Sequence, residues 1–252
     1  MTVDYVELVA EAAAVDVSGW DFSWLDGRAT EERPPWGYAG KLAERMAGVD
    51  SSLDLQTGGG EVLSLATGIP RRAFATESYE PNIEKATALL GPRGITVVAD
   101  TGEPPLPFPD GSFDLVTSRH PAVVHWHEMA RVLAPGGTYL AQHVGPASAF
   151  ELIEYFLGPQ PGARQARDPD REASQAVAAG LEIVDLRTAR LRMEIHDVGA
   201  AVYLLRKVIW WVPGFTVDRY EDRLRNLHDD IQRNGPFIAH STRHLIEARK
   251  PA

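Results

Sequence analysis

The stretch Leu53-Asp54-Leu55-Gln56-Thr57-Gly58-Gly59-Gly60-Glu61 decides how this chain is read. Residues Ser52 to Gln56 read as a short strand. The glycines that follow lead into Gly60 to Thr67, whose pattern predicts a helix. Glycines at such a junction let a ligand approach the backbone where a Cβ would intervene. A side chain added at Gly60 is therefore expected to stand in the ligand's path. A helix opening at this point would add free N–H groups and a positive dipole end, suited to a carboxylate or a phosphate. In open α/β sheets ligands bind at the carboxyl ends of strands near the topological switch point. Two familiar glycine fingerprints fail here. Counted from Gly58, the sixth position of the dinucleotide pattern is Leu63, and the Gly-Lys-Ser/Thr of a P-loop is absent.

Outward from this stretch the pattern alternates. Strand-like runs at Arg72–Thr76, Ile95–Ala99, Phe113–Ser118 and Thr138–Gln142 are interleaved with helical runs at Pro81–Leu90 and His127–Leu133. Pro104 to Gly111 reads as a turn-rich loop, and Pro135-Gly136-Gly137 as a helix stop and turn. Such alternation predicts βαβ units: an α/β fold with a parallel sheet covered by helices on both faces. Upstream, residues 3–14 read as a short amphipathic helix and Tyr38–Ala47 as another. Between them Trp20 to Tyr38 reads as an ordered aromatic loop. Downstream, Gly158–Pro169 reads as a loop, Arg171–Ala179 as a helix, and Leu181–Asp197 and Ile238–Ala248 as strands. Two helical stripes separate those strands: Val202, Leu205 and Ile209, then Tyr220, Leu224, Leu227 and Ile231. The expectation is a single domain over 1–252. Its parts are an N-terminal helix and aromatic lid (1–40), a ligand-binding core (41–157), and a C-terminal half (171–252) with substrate-side helices at about 200–234.

The motifs, taken in order, resemble those of class I S-adenosylmethionine-dependent methyltransferases, in particular an uncharacterised bacterial branch of the type 11-like group. Asp54, Gly58 and Gly60 fill three of the four positions of that family's first motif, and Gln56 stands where the family usually has glycine. Glu77 and Asp100-Thr101 end the second and third strands of the core. Leu106-Pro107-Phe108-Pro109-Asp110-Gly111-Ser112-Phe113-Asp114-Leu115-Val116 and Arg131-Val132-Leu133-Ala134-Pro135-Gly136-Gly137 match the runs into its fourth and fifth strands. The likeness covers roughly residues 36–145. It implies a Rossmann-like, mostly parallel seven-stranded sheet with an antiparallel last strand, and S-adenosyl-L-methionine as cofactor. It implies a cofactor site of Asp54, Gln56, Thr57, Gly58, Gly60, Glu77, Ser78, Asp100, Thr101, Ser118 and Trp36, with Glu77 on the ribose hydroxyls and Asp100 near the adenine amino group. Gln56 either crowds the methionine end or hydrogen-bonds to the cofactor.

The likeness also places the transferable methyl near Ser118-Arg119-His120-Pro121. Methyl transfer depends on in-line positioning, and a hydroxyl acceptor also needs a base. His120 is the candidate for general base or substrate-orienting group, because histidine titrates near neutrality. Trp24, Arg28, Tyr38 and His143 are candidate substrate residues, with Arg28 either on a substrate carboxylate or paired with Glu31 or Glu32. His125, His127 and Glu128 invite a metal reading with His120, but their short spacing fits loop and cap positions better, and no metal site is assigned.

Composition narrows the rest. No apolar run approaches the roughly 18–20 residues that span a bilayer, and no basic-then-apolar leader opens the chain. A soluble, cytoplasmic protein is expected. There are no cysteines, which excludes disulfides, thiolate metal sites and thiol nucleophiles. A net charge of −10 without a run of Lys/Arg argues against nucleic acid as partner. The excess of arginine over lysine fits a GC-rich bacterial source. The reading is methyl transfer to oxygen or nitrogen of a small molecule. RNA or base methylation, or cofactor binding without transfer, are the alternatives. The acceptor, the oligomeric state and the pathway are not legible.

Overall fold

In the computed structural model, which describes residues 4–252, strands and helices alternate much as the apolar periodicity places them. The elements are α1 (Tyr5–Ala14), β1 (Ala29–Glu31), α2 (Tyr38–Ala47), β2 (Ser51–Leu55), β3 (Arg72–Glu77), α3 (Glu80–Leu90), β4 (Ile95–Ala99), β5 (Phe113–Arg119), α4 (Trp126–Val132) and β6 (Leu133–Val144). There follow α5 (Phe150–Leu157), α6 (Pro169–Ala178), β7 (Glu182–Ile195), α7 (Val198–Lys207), α8 (Glu221–Asn234) and β8 (Phe237–Arg249). The strands form one sheet in the order β1-β7-β8-β6-β5-β2-β3-β4. Strands β4, β3, β2, β5 and β6 run parallel, and β8 pairs antiparallel with β6.

The chain divides into two compact units, and strands β7 and β8 contribute to both. The larger unit comprises residues 34–146, 167–189 and 243–252. Its central strand β2 is buried along its whole length, as expected for a parallel strand covered on both faces. One core packs Leu53, Phe113, Val116, Trp126, Met129, Tyr139 and Ile246. Another packs Leu42, Met46, Leu63, Ala75, Leu90, Ile95, Leu115 and Leu245. In α2 the buried Tyr38, Leu42 and Met46 recur every fourth residue, which is the core stripe of an amphipathic helix.

The other unit comprises residues up to 33, 147–166 and 190–242. Helices α1, α5, α7 and α8 pack Leu8, Phe156, Val202, Leu205, Leu224, Leu227 and Ile231 together. Helix α7 is buried over nearly its whole length and is capped by Asp197, which accepts the Ala200 N–H at 2.8 Å. A Cβ at Gly199 would lie 2.8 Å from the Leu8 carbonyl oxygen, so glycine is what lets α1 and α7 approach. Tyr220, Leu224, Leu227 and Ile231 are all buried, as their spacing predicts, whereas Ile209 lies beyond the end of α7 and is exposed. Trp20 stacks on Phe22, and the Trp210 ring lies tilted against it at 5.7 Å between centroids, so the three form an exposed aromatic cluster.

The sheet has eight strands rather than seven, because Ala29–Glu31, inside the expected aromatic loop, pairs antiparallel with β7. The helix expected over Gly60–Thr67 is a single 3₁₀ turn at Leu63–Leu65. The reason is local. Three glycines disfavour helix entry, and Gly68 and Pro70 leave no room for several turns. The Pro135-Gly136-Gly137 turn persists as a bulge inside β6, where the register against β5 shifts. The start of the first helix at residue 3 falls outside the described residues. Among them, no helix is long and apolar enough to cross a membrane.

Candidate functional site

The carboxyl ends of β2, β3, β4 and β5 converge on one cleft in the larger unit. Leu55, Gln56, Thr76, Asp100, Ser118, Val123, His125 and Tyr139 line it.

Glu77 organises the glycine loop. Its Oε2 accepts the Gly58 N–H at 2.8 Å, and its Oε1 accepts the N–H groups of Ser78 and Tyr79 at 2.8 and 2.9 Å. A carboxylate has about four acceptor positions, so one remains for a ligand hydroxyl, not the two that the strand-end position alone suggests. The Thr57 N–H is taken by the Thr76 carbonyl at 2.9 Å. With no α-helix after the loop, the expected ring of free helix-terminal donors is missing. The Thr57 hydroxyl is buried beside Asp54 and, with Thr117, acts to hold that carboxyl down.

Gln56 adopts φ 54°, the left-handed region that favours glycine. This is the position where the resemblance expects glycine, so the backbone keeps the conformation although the side chain differs. Both ends of the amide are used. The Gln56 Nε2–H donates to the Val123 carbonyl at 2.8 Å, and Oε1 accepts the Ala122 N–H at 2.7 Å. The side chain thus ties the β2 loop to the segment after β5. A Cβ at Gly60 would run into the Leu90 side chain at 2.8 Å. Gly60 is therefore required for packing against α3, and the expectation that a side chain there would enter the ligand's path is corrected.

Asp54 is buried, and its Oδ1 accepts the Thr117 hydroxyl at 2.6 Å. Burial pushes its carboxyl up to about 6, against that hydrogen bond. Ser118 donates to the Leu55 carbonyl at 2.8 Å and accepts the Tyr38 hydroxyl on its own carbonyl at 3.0 Å. Asp100 borders the cleft half-buried, and Thr101 and Ser78 are exposed.

His120 follows β5 with φ 59°. The indole N–H of buried Trp36 donates to Gln142 Oε1 at 2.8 Å. An indole can only donate, so the amide orientation is fixed and Gln142 Nε2 faces His120 Nε2 at 2.9 Å. His120 Nε2 must then be the acceptor, which leaves the ring neutral with its proton on Nδ1. Burial, reinforced by Arg119 and Arg243, holds its pKa well below the ordinary histidine value. The lone pair a general base would use is engaged, and the free group is a donor.

His143 is buried on the neighbouring strand. Its Nδ1 meets Glu172 Oε2 at 2.5 Å and its Nε2 meets the Tyr139 hydroxyl at 3.0 Å. Burial lowers the pKa of His143, and Glu172 partly offsets the effect. Burial also works against the charge of Glu172, but hydrogen bonds from His143 and His244 outweigh it and hold the carboxyl down to about 2. The His120–His125–His127–Glu128 cluster does not form. Glu128 pairs with Arg131 at 2.7 Å and accepts the Leu106 N–H, His125 meets the Gly102 carbonyl, and His127 is exposed on α4.

Trp24 and Arg28 belong to the other unit. Trp24 stacks on Tyr203, and Arg28 lies over Trp24 and pairs with Glu11 at 2.8 Å, not with Glu31 or Glu32. Sequence reasoning missed Gln142, Tyr139, Glu172 and His244. Tyr139 and His143 share a strand face by their even spacing, which was a readable signal. Glu172 and His244 join them only through register and tertiary packing.

Residues 53–141 match the family model described as "Methyltransferase domain". No curated protein matches the chain significantly. Among solved structures, the chain is similar to a candidate methyltransferase from Bacillus halodurans C-125, with 20% identity over 85% of this chain and 99% of that one and a TM-score of 0.61. It is similar to the YcgJ protein of Bacillus subtilis, with 18% identity over 85% and 98% and a TM-score of 0.59. A third is phosphoethanolamine N-methyltransferase 2 of Haemonchus contortus, in complex with phosphomonomethylethanolamine and S-adenosylhomocysteine. It shares 16% identity over 99% of this chain and 61% of that one, with a TM-score of 0.53. The fold is that of the class I methyltransferases, and residues 53–141 carry the methyltransferase domain signature on it.

Proposed function

We propose that this protein is an S-adenosylmethionine-dependent methyltransferase acting on oxygen or nitrogen of a small molecule, at a cytoplasmic location. The observation that carries the reading is the acid-bordered cleft at the ends of β2 to β5, inside the segment that matches the methyltransferase family. The residues present fit the cofactor at its adenosine half. Glu77 keeps one acceptor position for a ribose hydroxyl, and Asp100 borders the cleft for the adenine amino group. Gly58 and Gly60 hold the loop in positive-φ conformations, and Ser78, Thr101, Asp54 and Ser118 complete the set that the resemblance assigns to the cofactor. When bound, the cofactor supplies a sulfonium methyl group. The chain's part is to hold and orient. Trp36 and Gln142 fix His120, whose Nδ1–H is available to orient an acceptor, and Tyr38 braces the Ser118 backbone. His143 lines the adjoining cleft in the same unit.

Incubation with methyl-labelled cofactor and pools of small-molecule acceptors tests this. Label should appear in a small molecule with wild type and drop at least tenfold with Glu77→Ala. Label in RNA instead would overturn the acceptor class. Gln56 favours a second reading, cofactor binding without transfer, because its amide bridges the loop where the resemblance expects glycine. Tight binding of S-adenosylhomocysteine with no labelled product from any pool would support that reading.

A further inference from the structure

Strands β6 and β8 place His143 directly opposite His244, and partners in register point to the same face of a sheet. Glu172, in the first turn of α6, meets both rings with a single oxygen. Its Oε2 lies 2.5 Å from His143 Nδ1 and 3.0 Å from His244 Nε2. The two histidines are 3% and 0% exposed. Glu172 and His143 also line a second cleft, with Pro121, Trp126, Arg167 and Gln175. The three donor atoms lie within 4.8 Å of one another.

We propose that His143, Glu172 and His244 form a binding site for a divalent transition-metal ion, a donor set distinct from the histidines that the sequence alone brings to notice. Two imidazoles and one carboxylate suit zinc, iron, cobalt or nickel rather than calcium or magnesium, which prefer all-oxygen sets. An ion at the point where the donors converge replaces the two N–H···O contacts now shared by one oxygen. Each ring then carries its proton on the outer nitrogen. For His143 a partner is in place, because Nε2–H can donate to the Tyr139 hydroxyl 3.0 Å away. Such outer hydrogen bonds orient metal-bound histidines. Three protein ligands leave the remaining coordination positions open, as in metal sites that bind a substrate or water, and Glu172 and His143 border the cleft from which such a ligand would come. Arg167 on the rim suits an ion that carries an anionic ligand. The proposal does not depend on methyl transfer.

Calorimetric titration of chelator-stripped full-length protein with Zn²⁺ and Co²⁺ tests it. Wild type should bind one ion per chain, with Co²⁺ developing visible absorption. Glu172→Gln keeps an acceptor for both rings, so the fold should hold while affinity falls ten- to a hundredfold or more. His244→Gln should lose affinity likewise, and His127→Ala, on the exposed surface of α4, should not change it. Absence of stoichiometric binding by wild type would overturn the site. So would unchanged affinity in Glu172→Gln, which decides the matter even if His244→Gln fails to fold.

Discussion

The two compact units solve the folding problem differently. In the smaller one the interior is almost wholly apolar, and among described residues only Lys207 and Ser241 are buried polar side chains. The larger unit buries Asp54, Glu77, Gln142, His143, His244 and Glu247, among others, each needing a partner. Burying polar groups is costly unless they are satisfied. The smaller unit therefore rests on apolar packing, whereas the interior of the larger one depends on hydrogen-bonded partners.

That contrast can be broken by mutation. Phe156 is 2% exposed and meets Phe215 and Tyr220 edge-on. Phe156→Ala should lower stability by about 3–5 kcal/mol, read as a shift in the denaturant midpoint. A loss below 1 kcal/mol would mean the apolar unit is loosely packed and the comparison is false.

Asp54 tests the opposite kind of interior. Its carboxyl is raised from 3.8 to about 6 in the fold, so between those values the native state binds more protons than the unfolded one. Stability from this group is therefore full below pH 4 and is lost as pH rises through 6. Roughly two units correspond to about 3 kcal/mol. The stability of Asp54→Asn relative to wild type should improve by about that amount between pH 3 and pH 8, in chemical denaturation at both. A difference independent of pH would show that the buried carboxylate costs nothing.

Gln56 sharpens the comparison at a smaller scale. Holding a non-glycine residue in the left-handed region costs on the order of 1 kcal/mol. Gln56→Gly removes that cost together with the amide bridge to Ala122 and Val123. Affinity for S-adenosylhomocysteine should rise severalfold if the bridge obstructs the ligand. A fall would make Gln56 a cofactor contact.

The legible part of the molecule follows from local rules. Alternating apolar runs placed β2 to β6 because parallel strands and amphipathic helices carry their own periods. The placement of Glu77 and Asp100 at the ends of β3 and β4 was legible because the strands carry their own period. The 3₁₀ turn at Leu63–Leu65 carries the apolar spacing of a helix, but the flanking glycines and proline decide its length. Strand β1 escaped notice because three residues, Ala29–Glu31, are too few to show a period of two. The neutral tautomer of His120 depends on Trp36 and Gln142, which lie 106 residues apart, and no local signal records that. The same holds for His244 and Glu172, brought together by the register of β6 and β8 and the packing of α6.

The central claim is that the glycine loop and Glu77 form a cofactor site. Isothermal calorimetry with S-adenosylhomocysteine, on wild type and on Glu77→Gln, tests it most directly. The account predicts one site per chain in wild type and at least a tenfold loss in Glu77→Gln, with the fold intact by circular dichroism. Absence of binding in wild type, or equal affinity in a folded Glu77→Gln protein, would contradict it.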